Sequence, residues 1–360
     1  MNLDRILNHT APALPQEEKD QLLFDGLKQL TEYHKSKCPG YRNILHAIKY
    51  APEKCRSLED IPFIPVNLFK RLELHSIQES GNIVNILASS STTGQKPSQI
   101  FLDKETSKRQ SLGLTRSLKF VIGDKRLPML IIDAPSSIRT KPLTARGAGI
   151  LGLMRFGHSH CFALDNDLNL DQEQLTRFLS EHSGQPFLIF GFTFMVWMYF
   201  LQKCPPEINL ENGILIHSGG WKKMHEQAVS PSAFKKAFLN NTKLSKCFNF
   251  YGLVEQIGSI YLEGLDGFLY PPAFSDVIIR DPFTLEPLPY GQEGLVQLLS
   301  LLPLSYPGHS ILTSDMGILH QGTHDKNTHG LEITRRAPKA EVRGCSDTHV
   351  VSETSGVSAQ

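Results

Sequence analysis

Apolar, strand-like runs alternate with helix-like runs through the middle of the chain, and this alternation restricts the possible folds more than any other feature. The runs "RLPMLIIDAP", "NGILIHSGG" and "SKCFNFYG" are typical of buried strands that end in turns. Residues 163–192 are typical of a loop, a helix and a further strand. Strands that alternate with helices form largely parallel sheets with helices on their faces. We therefore predict an α/β fold with layered, mostly parallel sheets and flanking helices.

Changes in this pattern divide the chain into three parts. Residues 1–80 have a mostly helical pattern and predict a helical N-terminal segment of the main domain. Residues 81–330 form the expected core, in which short strands and turns from about residue 270 onward predict a small C-terminal β region. Residues 331–360 form a short tail with a polar end. A chain of 360 residues fits one large α/β domain or two smaller ones.

Charge and hydropathy argue against two classes of partner. The formal net charge is +1, whereas general nucleic-acid-binding proteins carry a basic surplus or a basic stripe. The most apolar window, residues 186–201, is shorter than the roughly 20 residues that span a bilayer. It predicts a buried strand that continues into a buried helix. The first 14 residues have no apolar signal segment, and the six cysteines form no C-x-x-C pair, so we expect reduced thiols in a cytoplasmic protein.

The stretch "SSSTTGQKPS", residues 89–98, follows a strand-like run and contains several hydroxyl side chains, one glycine and Lys96. Hydroxyl and backbone N–H groups that surround a concave site bind anions such as phosphate. The spacing matches neither G-x-x-x-x-G-K-[ST] nor G-x-G-x-x-G. On composition alone, a flexible linker and a phosphate loop are equally compatible with this stretch.

Five short motifs, in this order, resemble those of the adenylate-forming superfamily, which includes acyl-CoA ligases and peptide-synthetase adenylation domains. The stretch just described resembles the S-S-G-T-T-G-x-P-[KS] phosphate loop. "SGGW" resembles the glycine turn beside the adenine, and "FYGLVE" resembles Y-G-x-T-E. "TSDMG" resembles T-G-D-x-G, and "RRAPKAEVRG" resembles the hinge motif G-R-x-D-x-x-x-x-x-R-G. The resemblance implies ATP and Mg²⁺ as cofactors.

The resemblance to one branch, the bacterial acyl-protein synthetases, extends from about residue 30 to residue 347. The runs that carry it are "HKSKCPGYRNIL", "IPFIPVNLFK", "IFGFTFMVW", "HSGGWKK" and "RGCSD". These enzymes supply the fatty acid to the fatty-acid reductase complex of bacterial luminescence. The resemblance therefore implies a fatty-acid substrate and, as partner, a reductase or an acyl carrier.

The resemblance also implies roles for the residues that match its motifs. The residues that would hold the ATP phosphates belong to the loop and are Ser89, Ser90, Thr92, Thr93, Gly94 and Lys96. Glycines of the two central motifs would complete the nucleotide site, and they are Gly219, Gly220 and Gly252. Ser91 stands where the superfamily usually has glycine, which admits positive φ angles at little cost.

Four further side chains would contact the nucleotide or its metal ion. Tyr251 would stack on the adenine, Glu255 would bind Mg²⁺, and Asp315 would hold the ribose hydroxyls. Apart from the resemblance, Tyr251 is more typical of a core tyrosine, Glu255 is compatible with a solvated glutamate, and Asp315 is compatible with a turn aspartate. Arg335 or Arg336 would contact the ribose or the phosphates. Counting back without a gap from the last glycine of the hinge motif favours Arg335, and a one-residue deletion favours Arg336.

Cys345 differs from the other cysteines because Arg343 and Gly344 precede it beside a basic run. Nearby positive charge lowers a thiol pKa and favours the nucleophilic thiolate. In the acyl-protein synthetases a near-terminal cysteine accepts the acyl group, and "RGCSD" matches its position. The superfamily's lid domain and its catalytic lysine are expected to be truncated, because 16 residues follow Gly344. Lys339, Lys96 or a residue of a partner protein would then stabilise the reacting carboxylate.

These residues predict a ligase that works in two steps. A fatty-acid carboxylate attacks the α-phosphate of MgATP to give acyl-AMP and pyrophosphate, and Cys345 then takes the acyl group as a thioester. Two alternatives stay open. One is an aryl- or acyl-CoA ligase of the phenylacetate type. The other is a non-catalytic nucleotide-binding partner protein, which Ser91, the missing lid lysine and Val254 in place of the usual threonine would favour.

Overall fold

The computed structural model describes residue 6 and residues 15–89, 97–140, 144–220, 229–322 and 328–337. Within these ranges the strands are β1 (Ile64–Pro65), β2 (Asn85–Ala88), β3 (Gln99–Leu102), β4 (Leu127–Ile132), β5 (Gly157–Phe162), β6 (Phe187–Phe192), β7 (Gly213–Ser218), β8 (Lys246–Tyr251), β9 (Tyr261–Glu263), β10 (Leu269–Tyr270), β11 (Ser275–Arg280), β12 (Glu293–Ser300), β13 (Ser310–Gln321) and β14 (His329–Arg336).

The helices in the same ranges cover the sheet or connect its strands. The α-helices are α1 (Gln16–Lys37), α2 (Pro39–Ala47), α3 (Leu68–Arg71), α4 (Lys104–Ile122), α5 (Ala145–Met154), α6 (Gln172–Glu181), α7 (Thr193–Met195) and α8 (Pro231–Thr242). A π-helical turn, Val196–Phe200, continues α7. The short 3₁₀ turns are Pro52–Lys54, Leu58–Asp60, Ser80–Asn82, Pro135–Ile138, Leu201–Lys203 and Val254–Gln256.

One half of the main sheet consists of parallel strands in the order β8–β7–β6–β4–β5. Strands β4, β6 and β7 are apolar over nearly their whole length and are largely buried. Continuous apolar runs of this kind are typical of parallel strands, because helices cover both faces of such a sheet. The α/β class predicted from the alternating pattern is therefore confirmed.

Helices from both faces enclose this parallel half. On one face, α6 and α8 contribute Leu175, Phe178 and Phe234 to a buried cluster. On the other face, α4 and α5 contribute Leu118 and Ile150 to a second cluster. The sheet is thus the middle layer of three, and only its edges and strand ends are open to a ligand.

The other half of the sheet is antiparallel and continues from β8 in the order β9–β10–β14–β13–β12–β11. It corresponds to the C-terminal β region predicted from the sequence. It is wider than that prediction, because β9 precedes residue 270 and because β1 from the N-terminal part pairs in parallel with β13.

The N-terminal helix α1 packs against the antiparallel half. Its buried residues Leu23, Leu27 and Leu30 share a cluster with Leu299 and Leu301. The spacing of these leucines is the helical periodicity that the sequence displays. The helix therefore covers the face of β12 from a distant part of the chain.

Buried polar contacts also join α1 to the start of β13. Thr31 Oγ1 lies 3.0 Å from His309 Nε2, and the His309 ring stacks on the His34 ring at a centroid distance of 5.1 Å. Ser76 Oγ lies 2.7 Å from His34 Nδ1. Burial lowers the pKa of His309 to about 3 and also lowers the pKa of His34, so both imidazoles are neutral near pH 7.

In the described part of the chain, no helix combines the length and apolar character that a membrane crossing requires. The apolar window at residues 186–201 contains β6 and the helical segment that starts at Thr193. Its side chains are mostly buried in the two core clusters, so the prediction of a buried strand that continues into a buried helix is confirmed.

Candidate active site

Two neighbouring parallel strands bring four of the predicted site residues to one edge of the sheet. Gly219 and Gly220 follow β7, while Tyr251 is the last residue of β8 and Gly252 follows it. Gly219 has φ = +87°, a conformation that glycine adopts without steric cost, so the chain can turn sharply there. Ligands of α/β sheets bind at the carboxyl ends of strands, and this edge is such a place.

The predicted phosphate loop connects β2 to β3, which pair antiparallel in a separate two-stranded sheet. Two hydrogen bonds close its neck: the Ser89 N–H donates to the Ser98 carbonyl at 3.1 Å, and the Ser98 N–H donates to Ser89 Oγ at 2.9 Å. The loop members that lie outside the described residues are Ser90, Thr92, Thr93, Gly94 and Lys96. Ser89 is therefore the predicted phosphate ligand whose position the structure describes.

Glu255 lies in the 3₁₀ turn that follows β8, and its side chain is buried. Burial raises the pKa of the Glu255 carboxyl, and the charge of Asp315 adds to this rise. The Ser98 hydroxyl and the Arg336 guanidinium are close enough to oppose the rise. Ser98 Oγ is itself buried and has no hydrogen-bond partner among the described residues. Glu255 is thus a desolvated carboxylate directly beside the neck of the loop.

The turn that carries Glu255 is held rigidly in the core. The side-chain amide of Gln256 donates to the carbonyl oxygens of Leu298 and Gly308, at 3.1 and 2.8 Å. A Cβ atom on Gly308 would lie 2.7 Å from the Glu255 carbonyl oxygen, so the two chain segments touch. The carboxylate therefore occupies a fixed position at the end of β8.

Asp315 on β13 meets Tyr251 and Arg336 from opposite sides. The Tyr251 hydroxyl donates to Asp315 Oδ2 at 2.7 Å, and Arg336 Nε lies 3.3 Å from Asp315 Oδ1. The Asp315 N–H donates to Thr313 Oγ1 at 3.1 Å. Burial and the Asp315 charge raise the pKa of Tyr251 well above its usual value, so the phenol remains a donor. The antiparallel half of the sheet thus contributes a carboxylate to the edge formed by β7 and β8.

The two neighbouring arginines have different partners. Arg336 faces Asp315, whereas Arg335 Nη2 lies 2.6 Å from Glu293 Oε2, and the Arg335 side chain is half exposed. The register of β13 and β14 explains this, because a shift between Met316 and Gly317 pairs Asp315 with Arg336. The gapless sequence count favoured Arg335, but the arginine that the structure brings to Asp315 is Arg336.

The chain leaves its described part next to this site. The Ala337 N–H donates to the Ser314 carbonyl at 2.9 Å, one residue from Asp315. Lys339 and Cys345, the other two predicted catalytic residues, lie outside the described residues. Cys345 follows Ala337 by eight positions, and eight residues of chain span at most roughly 26–29 Å. Cys345 is therefore within reach of Asp315 by chain length.

The five cysteines in the described ranges are poor candidates for a nucleophile. All are free thiols, and burial raises the pKa of each one: Cys38, Cys55, Cys161, Cys204 and Cys247. A thiol with a raised pKa carries little thiolate at neutral pH. Among the cysteines whose environment is described, none competes with Cys345 for the role of acyl acceptor.

Asn249 is a site residue that the sequence reasoning missed. It lies on β8 two residues before Tyr251, so the two side chains point to the same face of the sheet. Its amide oxygen Oδ1 is buried and has no hydrogen-bond partner among the described residues. The only signal in the sequence was an asparagine in "NFYG", and its significance depends on that unpaired acceptor.

The arrangement offers the contacts that a nucleotide requires. An aromatic ring and a buried carbonyl-type acceptor stand side by side on β8, suited to a base with an amino group. The carboxylate of Asp315 is a bidentate acceptor for a diol, and Arg336 supplies positive charge. Burial opposes ionisation of the Glu255 carboxylate, whereas a bound cation favours the ionised form. The carboxylate therefore fits a hard cation such as Mg²⁺.

Comparisons with known proteins identify the family to which the chain is similar. A family profile described as "Acyl-protein synthetase, LuxE" matches residues 2–354. The long-chain-fatty-acid–luciferin-component ligase of Vibrio harveyi is 23% identical over 356 residues, which cover 95% of this chain and 91% of the relative. The ligase of the same name from Aliivibrio fischeri is also 23% identical, with 96% and 92% covered.

Solved structures resemble the fold of this chain. An open conformation of 2-hydroxyisobutyryl-CoA ligase, in complex with 2-HIB-AMP and CoA, superposes with a TM-score of 0.68 at 15% identity, covering 92% of this chain and 80% of that one. The same ligase in its postadenylation state gives a TM-score of 0.67 at 16% identity, with 92% and 72% covered. At this level of identity the likeness concerns the fold alone.

Proposed function

We propose, from the premise that the chain belongs to the acyl-protein synthetase (LuxE) family, that it activates a fatty acid with ATP and passes the acyl group to its own Cys345. The relatives in Vibrio harveyi and Aliivibrio fischeri are named for long-chain fatty acids, and we carry this substrate class over. The observation that supports the proposal most is the convergence of Tyr251, Asp315 and Glu255 at the end of β8.

In the first step, a carboxylate oxygen of the fatty acid attacks the α-phosphorus of ATP. The bond from that phosphorus to the bridging oxygen breaks, and pyrophosphate leaves with the electron pair. Tyr251 and Asn249 would hold the adenine, and Asp315 would hold the ribose hydroxyls. The loop residues Ser89 to Gly94 and Lys96 would bind the phosphates, where hydroxyl and N–H donors stabilise the charge that develops on the leaving pyrophosphate.

Positive charge is needed because two anions must approach each other in this step. Glu255 would hold Mg²⁺, which when bound neutralises charge on the phosphates. Arg336 would direct its guanidinium to the ribose or the phosphates, and we prefer it to Arg335 because it contacts Asp315. Lys339 would stabilise the reacting carboxylate, because it follows closely after Ala337. Ala337 is itself hydrogen-bonded to the residue that precedes Asp315. Lys96 is the alternative for that role.

In the second step, the Cys345 thiolate attacks the carbonyl carbon of the acyl-AMP. The bond from carbon to the AMP oxygen breaks, AMP leaves as the phosphate anion, and the thiol proton has been lost to solvent. The product is a thioester. We propose that a reductase or an acyl carrier then receives the acyl group, and that the protein works in the cytoplasm, where reducing conditions keep the acceptor as a thiol.

Two measurements test the two steps separately. ATP–pyrophosphate exchange against a panel of acids, from acetate to palmitate and including aryl acids, should depend on a long-chain acid. Labelling with a radioactive long-chain acid and ATP should give a hydroxylamine-sensitive acyl-protein, which Cys345→Ser abolishes and the control Cys204→Ser retains. Exchange with aryl acids alone would refute the substrate class. Wild-type labelling of Cys345→Ser would refute the acceptor.

A further inference from the structure

An ion pair lies directly beside Asn249. Lys235 Nζ on α8 is 2.9 Å from Glu263 Oε1 on β9, and the other oxygen of the same carboxylate, Oε2, accepts the backbone N–H of Asn249 at 2.9 Å. Glu263 is 5% exposed. The carboxylate thus joins a helix, the last residue of β9 and the backbone of a residue at the candidate adenine site.

The position of this contact in the sheet gives it a specific effect. Strands β8 and β9 pair antiparallel at Phe250 with Leu262 and at Tyr251 with Tyr261. Because β9 ends at Glu263, the side chain of Glu263, rather than a main-chain carbonyl, receives the N–H of Asn249. Pairing with β7 holds Asn249 from one side. On the β9 side its N–H is held by this one carboxylate, which therefore helps to set the backbone conformation and the direction of the side chain.

Lys235 places a positive charge 2.9 Å from that buried carboxylate. A buried carboxylate without a cation is strongly disfavoured, whereas a charged acceptor makes a stronger hydrogen bond with an N–H than a neutral one. The neighbouring His217 does not compete for it, because burial and then the charge of Lys235 lower the pKa of His217 to about 3. The His217 imidazole instead contacts Thr193, whose Oγ1 lies 2.9 Å from His217 Nδ1.

We propose that Lys235 and Glu263 are positioning residues that aim the amide oxygen of Asn249 at the exocyclic amino group of adenine, and so set the base preference of the nucleotide site. This inference rests on the proposed function, since it places the adenine beside Tyr251. A purely structural role, in which the pair only fastens α8 to β9, predicts no effect on the choice of base.

The test compares ATP with purine riboside triphosphate, which lacks only the 6-amino group. Equilibrium binding of each Mg–nucleotide complex is measured on the full-length protein, because binding does not require turnover. The wild type should bind ATP about tenfold more tightly, the effect of one hydrogen bond. Asn249→Ala, Glu263→Leu and Lys235→Met should reduce this ratio to within about twofold, by weakening ATP and not the analogue.

A matched control comes from a buried ion pair that fastens another helix to this sheet. Lys19 Nζ on α1 lies 3.1 Å from Asp276 Oδ2 on β11, a strand that does not pair with β8. Asp276→Asn should lower thermal stability and leave the tenfold ratio unchanged. Lys235→Met is the milder of the two positioning variants, because the Lys235 side chain is 33% exposed, and it serves if Glu263→Leu does not fold.

The remaining outcomes separate this inference from the proposed function. The inference is overturned if Asn249→Ala abolishes the preference while both positioning variants retain it, or if the wild type binds both nucleotides equally. A wild type that prefers ATP in these measurements but gives no acid-dependent pyrophosphate exchange would refute adenylation and leave the positioning role intact. A wild type that binds neither nucleotide would refute both.

Discussion

Replacing Arg336 by methionine should abolish most adenylation activity, whereas the same change at the neighbouring Arg335 should have almost no effect. The two side chains are adjacent on β14, equally long and equally charged. They differ in their partners, since Arg336 meets the buried Asp315 and Arg335 meets the surface residue Glu293. Arg335→Met is therefore the matched control for Arg336→Met.

The size of the effect follows from the contact. Coulomb's law with an effective dielectric constant of about 20 gives about 5 kcal/mol for unit charges 3.3 Å apart. The Arg336 side chain is 37% exposed, so solvent screening and desolvation leave roughly 1–2 kcal/mol for folding stability. A hydrogen bond from the guanidinium to a charged nucleotide group contributes about 1.5–3 kcal/mol more, which corresponds to roughly a 10- to 150-fold loss in kcat/KM for ATP.

The assay is ATP–pyrophosphate exchange with saturating long-chain acid, together with chemical denaturation of each variant. Arg336→Met should lower kcat/KM by about two orders of magnitude and shift the denaturation midpoint, and Arg335→Met should stay within twofold of the wild type in activity. Equal losses in the two variants, or a larger loss for Arg335→Met, would refute the register argument that assigns Arg336 to the site.

Three further predictions concern stability and the fixed position of Glu255. Stability should be complete above pH 6.5 and fall as the pH drops toward 3, by about 1.4 kcal/mol per unit for each of His217 and His309, because their pKa values are about 3 in the fold and near 6.5 when unfolded. Equal denaturation midpoints at pH 7 and pH 5 would contradict this. Gly308→Ala should lower the free energy of unfolding by about 1–3 kcal/mol and weaken MgATP binding, because the new Cβ would lie 2.7 Å from the Glu255 carbonyl oxygen. Unchanged MgATP binding in calorimetry would contradict the coupling of Gly308 to the Glu255 position. Asp103→Ala should cost about 1 kcal/mol in thermal unfolding without changing binding, because the carboxylate caps α4.

The sequence carried enough information to predict the parallel half of the fold and the strand ends at which the candidate site residues lie. Mostly apolar runs that end in glycine or tyrosine indicated β7 and β8. Hydrophobic periodicity and turn residues are local properties that a single sequence displays. The convergence of Asp315 on Tyr251 was different in kind. It depends on the pairing of strands far apart in the chain, and the sequence contained it only through the resemblance of five motifs.

The arginine assignment illustrates what local pattern cannot provide. Up to the pair of Gly317 with Ile333, the strands β13 and β14 keep one register. If that register continued unchanged, Asp315 would pair with Arg335. One extra residue on β14 moves Arg336 into that place. A one-residue shift sends a side chain to the opposite face of a sheet, so no count along the sequence distinguishes the two arginines. Asn249 was missed for a related reason, because an unsatisfied acceptor exists only in the folded chain.

The contact of Thr31 with His309 has a consequence for how the protein is made. The two residues are 278 positions apart, and α1 packs on β12 as well as on the segments that follow it in the chain. At a synthesis rate of about 5–20 residues per second, α1 leaves the ribosome roughly 15–55 s before its partner strands exist. During that interval its leucines lack the part of their native surface that Leu299 and Leu301 supply. The N-terminal helix is therefore a natural substrate for chaperones, and the native fold is completed only when translation is nearly finished.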